Sequence, residues 1–310
     1  MPRTRVVPQF PSPGQSPQAG RSLPTVAVLL PRRLQIQARL ALGRGTEVLG
    51  AGSWEELERL IKDRPLRAVI VDPGMGGAID AEWVVSLFTR YPSLPVIAYV
   101  TLDPASFSAV ARLSRFGLEH VILHGFDDSV DRFKTVVESG TADPLVHRVM
   151  DGLRSSLGQL PLALSIALKD MFNEPHRYHT AIDLNAESGI STLRMYLSFK
   201  AANLASPKRF VIAARALRAY SYLRDPGYLV RDVSVKLGYC QARILTSHSM
   251  MVFGLTLARA SDRLSEREAV KRVLKFVRGQ ESAAVRNTEG QGSSRGVRRG
   301  RANDAVRRAR

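Results

Sequence analysis

Two glycine-centred turns, at Gly189 and Gly238, restrict what this chain can become more than any other feature. Each lies between a short amphipathic run and a longer one. Ala181, Leu184 and Ser188 share a helical face ahead of the first turn, and Met195, Phe199 and Ala202 recur at i, i+4 and i+7 behind it. Val230, Val233 and Leu237 repeat the face ahead of the second turn, and Ala242, Leu245 and Val252 continue it. A helix, a tight turn that calls for glycine and a second helix form a helix-turn-helix. Its second helix fits a DNA major groove. The two turns are 49 residues apart. Between them, Ser206-Pro207 reads as an N-cap followed by Pro at the first helical position. Phe210, Ala214, Leu217 and Ser221 then mark one helical face up to the stop at Asp225-Pro226-Gly227. About 18 residues at ~1.5 Å rise span roughly 27 Å, against about 34 Å for one turn of B-DNA. A rod of that length suits two recognition helices in successive major grooves.

Residues 160–261 resemble the DNA-binding domain of AraC-type transcription regulators. The first half matches in Gly189-Ile190-Ser191, Met195, Phe199-Lys200, Ser206, Phe210, Arg215 and Ala219. The second matches in Val233, Leu237-Gly238-Tyr239, Leu245, Phe253 and Gly254. The chain departs from the pattern at five positions. Asn185 stands where a small apolar residue is usual, and Leu204 where a glycine ends the first recognition helix. Ser249 replaces a core aromatic, Ser247 an arginine and Leu257 the closing proline. The second unit is therefore the more degenerate.

Helix geometry turns Met195 and Phe199 inward, so Thr192, Leu193 and Tyr196 face outward, and the resemblance places those positions at base edges. Ser191 reads as the cap of a helix N-terminus that can take a phosphate. Arg194 and Lys200 suit phosphates better than bases. In the second unit Gln241 and Arg243 are the strong hydrogen-bonding candidates, with Ser247 further along the same helix. Arginine reads guanine, and glutamine adenine, in bidentate fashion.

The charge is distributed to match. The chain carries 45 Lys+Arg against 28 Asp+Glu, a net of +17. Residues 1–140 hold 16 and 14 of these, and residues 141–310 hold 29 and 14. The excess therefore sits on the half with the doubled motif, as an electrostatic footprint for phosphate backbones. Cys240 is the single cysteine, which excludes an internal disulfide and suits a reducing cytoplasm. No apolar run reaches 18 residues, so no transmembrane helix is expected. The N-terminus lacks the continuous apolar core of a signal peptide.

Residues 24–140 alternate strand and helix: strands at 26–30, 47–49, 68–71, 96–100 and 121–123, and helices at 32–42, 54–61, 80–91, 104–116 and 130–139. Ser53 with Glu56 makes a capping box. Five strands with intervening helices predict a parallel, doubly wound sheet. Their order and size resemble a response-regulator receiver domain of flavodoxin-like fold. Asp72 ends the third strand, where the resemblance puts a phosphoacceptor. The acidic pair that would hold Mg²⁺ is replaced by Pro31-Arg32-Arg33, the lysine after the fifth strand by His124-Gly125, and Thr101 or Val100 stands near the usual hydroxyl. Phosphoryl transfer to a carboxylate needs a divalent ion to neutralise gathering charge, and two arginines repel one. Asp72-Pro73-Gly74 then reads as a strand-ending turn.

Four further segments complete the expected organisation. Residues 1–23 are Pro-rich and read as a disordered arm, and 141–159 as a linking helix with Leu145, Val149 and Leu153 along one face. Residues 262–278 read as a basic helix with Ala269, Val273 and Phe276 on one side. Residues 279–310 read as a disordered Arg-rich tail. Gly74-Met75-Gly76-Gly77 lacks both the Walker lysine and the GxGxxG spacing. His176 and His179 lack the further ligands of a zinc set. No catalytic constellation, metal or cofactor is expected.

The expected fold is thus a receiver-like α/β domain followed by an all-α double helix-turn-helix domain. The expected function is sequence-specific transcription regulation in the cytoplasm. The resemblance implies double-stranded DNA as partner, with RNA polymerase and a second copy of the chain beside it, and no membrane. The alternatives are a protein-interaction adaptor with a decayed DNA-binding domain and a phosphorylated response regulator.

Overall fold

The computed structural model describes residues 23–74, 81–126, 129–140 and 143–280. All but Leu23 of the expected N-terminal arm, all but two residues of the Arg-rich tail and the loop through Met75 to Gly77 lie outside the described residues.

The chain first forms β1 (Thr25–Leu29), α1 (Arg32–Leu42), β2 (Glu47–Gly50), α2 (Trp54–Asp63) and β3 (Leu66–Val71). It continues through α3 (Ala81–Arg90), β4 (Val96–Val100), α4 (Pro104–Ser114), β5 (His120–Leu123) and α5 (Val130–Gly140). All neighbouring strands pair in parallel, in the order β2-β1-β3-β4-β5. This is the flavodoxin-like order, which reverses direction between β1 and β3. Every residue of β1 and β4 is buried, as continuous apolar strands require when helices cover both faces. On one face Val26, Val28, Ile70, Ile97, Tyr99 and Ile122 pack with Leu34, Ala38, Phe133 and Val137 of α1 and α5.

Local chemistry sets the helix starts. Ser53 Oγ accepts from Glu56 N–H, and Glu56 Oε2 accepts from Gly52 N–H at 2.8 Å, one residue earlier than the usual reciprocal bond of a capping box. Asp103 caps α4 through Ser106 N–H at 2.8 Å. That N–H, with the hydroxyls of Thr101 and Ser106, holds the Asp103 carboxyl down at about 2.

Among the described residues nine more α-helices follow: α6 (Pro144–Leu157), α7 (Leu162–Asn173), α8 (Ala181–Ser188), α9 (Thr192–Ala201), α10 (Pro207–Leu223), α11 (Val230–Lys236), α12 (Ala242–Phe253), α13 (Leu257–Arg263) and α14 (Glu266–Val277). No described helix is long and apolar enough to cross a membrane. The chain divides into two compact units. The α/β unit runs to Ala142 and takes in Asp225–Gly238, and the helical unit holds Asp143–Arg224 and the chain from Tyr239 onward.

This division differs from the boundaries read from sequence. The linking helix α6 and the basic helix α14 pack against each other in the helical unit, and α14 also packs on α10 and α12. The segment carrying α11 groups with the α/β unit. The expectation of one apolar stripe on α10 also needs correction. Phe210, Ala214, Leu217 and Ser221 are buried, but so are Val211, Ile212, Ala213, Arg215, Ala216, Ala219, Tyr220 and Tyr222. Helices α7, α8, α9, α12, α13 and α14 surround α10, and a helix enclosed in this way is buried all round.

Candidate nucleic-acid interface

The first helix-turn-helix is built by short-range bonds. Thr180 Oγ1 accepts from Ile182 N–H at 3.2 Å, and Asp183 Oδ2 accepts from Thr180 N–H at 2.8 Å, which fixes the start of α8. Gly189 ends it at φ 64°, with its N–H donating to Asn185 O. This is the left-handed conformation that glycine adopts without steric cost. Ser191 then caps α9, its Oγ accepting from Arg194 N–H. Met195 and Phe199 are fully buried, so the outer face of α9 is fixed by what lies beneath it. Thr192, Leu193, Arg194, Tyr196 and Lys200 are all exposed with Ser191.

Three features of this unit escape a reading of the sequence. Leu197, one turn after Leu193, is 57% exposed beside Leu193 at 71% and Tyr196 at 44%; its i+4 spacing from Leu193 was the available signal. Asn185 Nδ2 donates to Thr192 Oγ1 at 2.5 Å. The polar residue at a usually apolar position thereby orients the first outward hydroxyl of α9. At the far end the left-handed residue is Asn203 (φ 53°), not residue 204. Leu204 N–H donates to Phe199 O and Asn203 N–H to Lys200 O. Asparagine tolerates this conformation better than most side chains, so the helix stops without the glycine expected at 204.

In the second unit Gly238 has φ 67°. Gln241 is the N-cap residue of α12 but makes no side-chain cap bond. Its Oε1 accepts from Arg243 at 3.3 Å, so the two expected base readers are engaged with each other. Both are exposed, as is Ser247. Beneath them the Arg215 guanidinium lies 3.8 Å from the centroid of the Tyr239 ring, and Tyr239 Oη is 2.9 Å from His248 Nδ1. Burial pushes the Tyr239 hydroxyl up to about 12 against the pull of Arg215. Burial likewise pushes the Arg215 guanidinium down. Ser249 is wholly buried and donates to Leu255 O at 2.9 Å. The hydroxyl thus satisfies a carbonyl beyond the end of α12 where the resemblance expects an aromatic ring. Leu257 is buried at the first position of α13.

Asp72 follows β3, its N–H donating to Leu29 O and its Oδ1 accepting from Gly74 N–H at 2.9 Å. That geometry is an Asx turn. Burial pushes its carboxyl up, Gly74 N–H opposes this and Asp103 adds to it. Arg32 and Arg33 are exposed at the start of α1. Thr101 Oγ1 donates to Asp103 Oδ2 at 2.7 Å, and Val100 is buried.

No protein-family model matches the chain. No curated protein matches it either. Among solved structures it is similar to NtrX from Brucella abortus, at 19% identity over 49% of this chain and 34% of that one, with a TM-score of 0.36. The chain thus spans 34% of the length of NtrX. It is also similar to FixJ from B. japonicum, at 14% identity over 78% of this chain and 98% of that one, with a TM-score of 0.35. Likenesses of this size do not bear on function, and the strand order alone establishes the receiver-like fold of the α/β unit.

Proposed function

We propose that the chain is a sequence-specific DNA-binding transcription regulator of the AraC type, acting in the cytoplasm on double-stranded DNA. One observation carries this reading: α9 buries Met195 and Phe199 and turns Thr192, Leu193, Arg194, Tyr196 and Lys200 outward. A capped helix with a polar, basic outer face after a left-handed glycine suits the major groove. Arg194 and Lys200 would hold phosphates and set the register, while Thr192, Leu193 and Tyr196 meet base edges. Helix α12 would read a second groove more weakly, because Gln241 and Arg243 must part before either contacts a base. RNA polymerase and a second copy of the chain are the proposed protein partners.

Salt-titrated DNA binding, with binding sites selected for each variant, tests this reading. Two neutralised phosphates, at Arg194 and Lys200, give a log–log slope of roughly −1.8, or about a 12-fold loss of affinity between about 50 and about 200 mM salt. Thr192→Ala and Tyr196→Ala are expected to relax base preference by about 1–3 kcal/mol at their positions. Lys200→Ala should weaken all sequences alike. Arg243→Ala should touch fewer base pairs than the first-helix variants. Affinity indifferent to salt would sink the proposal. An Arg243 variant that loses most of the preference, with the α9 variants unchanged, would reverse the ranking of the two units.

The adaptor reading rests on a different observation: Leu40, Phe107 and Phe126 of the α/β unit are each at least 65% exposed. Absence of DNA binding at low salt would favour it. A phosphorylated receiver is disfavoured by Arg32 and Arg33 where metal-binding acids belong. Asp72 is therefore expected to take no phosphate from a small-molecule donor in Mg²⁺. Acid-labile label that disappears in Asp72→Ala would refute this.

A further inference from the structure

Both helices of the first helix-turn-helix, α8 and α9, belong to the helical unit and pack on each other there. Met195, Phe199 and Ala202 are buried and fix the inward side of α9. At about 100° of turn per residue, the direction opposite their mean falls between Leu193 and Leu197, within roughly 30° of each. Thr192 and Tyr196 lie to one side of that line and Arg194 to the other. The centre of the outward face is therefore two exposed leucine side chains, one turn apart. The hydroxyls nearby are engaged within the unit. Ser191 Oγ accepts from Arg194 N–H, Ser198 Oγ donates to Arg194 O at 2.8 Å, and Thr192 Oγ1 accepts from Asn185 Nδ2.

Two leucines in water gain free energy from an apolar partner. The base edges of the major groove offer one apolar group, the 5-methyl of thymine. The charges around the pair favour a duplex over an apolar protein surface. Arg194 lies beside the leucines and Lys200 one turn beyond them, both exposed. An apolar protein partner would strip water from these cations at a cost, whereas phosphates neutralise them. The dimensions agree as well. Four residues of helix advance about 6 Å along the axis, close to two base steps of about 3.4 Å each.

We propose that Leu193 and Leu197 select thymine: each packs on the 5-methyl group of one thymine in the major groove, the two thymines lying about two base steps apart. The proposal rests on the DNA-binding function proposed above and names the chemistry that α9 recognises. Thr192 and Tyr196 flank this contact on the neighbouring base edges, and Arg194 and Lys200 hold the backbone.

Binding sites selected from random duplexes with the full-length protein should carry two such thymines. Replacing either by deoxyuridine, which keeps the pairing edge and loses the methyl, should weaken binding about fourfold, the worth of one buried methyl. At the same positions 5-methyldeoxycytidine should bind about fourfold tighter than deoxycytidine. Leu193→Ala should abolish the deoxyuridine effect at one thymine and Leu197→Ala at the other. The salt slope should stay unchanged in both variants, because no phosphate contact is touched. Both leucines are exposed and alanine favours a helix, so both variants should keep the wild-type unfolding midpoint. Selected sites without thymine preference, or a wild type that binds the deoxyuridine sites equally well, overturn the proposal and leave the DNA function standing. Deoxyuridine effects that persist in both variants overturn it too, and assign thymine recognition to other residues. A wild type that binds no DNA at low salt refutes the DNA reading and this proposal with it; self-association lost in the leucine variants would then show that the face meets a second copy.

Discussion

Phe210→Ala is expected to destabilise the helical unit by about 3–5 kcal/mol. Phe210 is fully buried in the first turns of α10. Its ring meets that of Phe199 edge to face, with centroids 5.0 Å apart, and that of Phe172 at 6.5 Å. Those three rings join α7, α9 and α10. Truncation removes the transfer free energy of the ring, leaves a cavity and breaks an aromatic pair of about 0.5–1.5 kcal/mol. The loss would take a large share of a typical stability of about 5–15 kcal/mol. It also reaches the proposed DNA contact, because Phe199 is one of the two residues that seat α9. Phe210→Leu keeps most of the volume and is expected to cost less than about 1.5 kcal/mol. Denaturation followed by far-UV ellipticity would register the change. Tryptophan fluorescence should move less, since both tryptophans, Trp54 and Trp83, stack together in the α/β unit. A loss under about 1 kcal/mol for Phe210→Ala would show that the ring cluster does not hold α9.

The sequence made legible what short-range chemistry decides. Continuous apolar strands, the Ser53 cap and the left-handed glycines at 189 and 238 all act within a few residues of themselves. The inward pair Met195 and Phe199 follows from the 3.6-residue period, and it gave the outer face of α9 as well. What was hidden depends on partners distant in sequence. A periodicity argument assigns α10 one buried side, because it cannot know that six of the described helices pack on it. Asn203 takes over the stop expected of a glycine at 204, since the left-handed residue shifts by one when asparagine is available. Asn185 reads as a flaw in the pattern until Thr192 is seen beside it. Nothing near Asp225 or Lys236 in the sequence indicates their hydrogen-bond partners Ser93 and Ile61, which lie 132 and 175 residues away.

The same kind of distant pairing underlies the second large effect expected, at Arg218. Its guanidinium meets Asp143 Oδ2 at 2.7 Å and donates to Asn173 O at 2.8 Å. Both side chains of the pair are largely buried, 17% and 11% exposed. Asp143 also caps α6, its Oδ1 accepting from Leu145 N–H at 2.8 Å. One carboxylate therefore starts the linking helix and ties it to α10. Burial works against the Arg218 charge, but Asp143, Tyr222 and Glu174 outweigh it and hold the guanidinium above its ordinary value. Arg218→Ala would leave the Asp143 carboxylate buried without its cation, a loss of about 3–5 kcal/mol for a buried pair broken on one side. Removing both charges should cost less than removing one. Asp143→Ser keeps a capping oxygen, so Asp143→Ser with Arg218→Leu is expected to recover about half of that loss or more. A double-mutant cycle measures the coupling directly. If Arg218→Ala and the double variant were equally destabilised, the cost would lie in the lost packing of the arginine stem and the Asn173 bond, and the ion pair would not be what fixes α6 to α10.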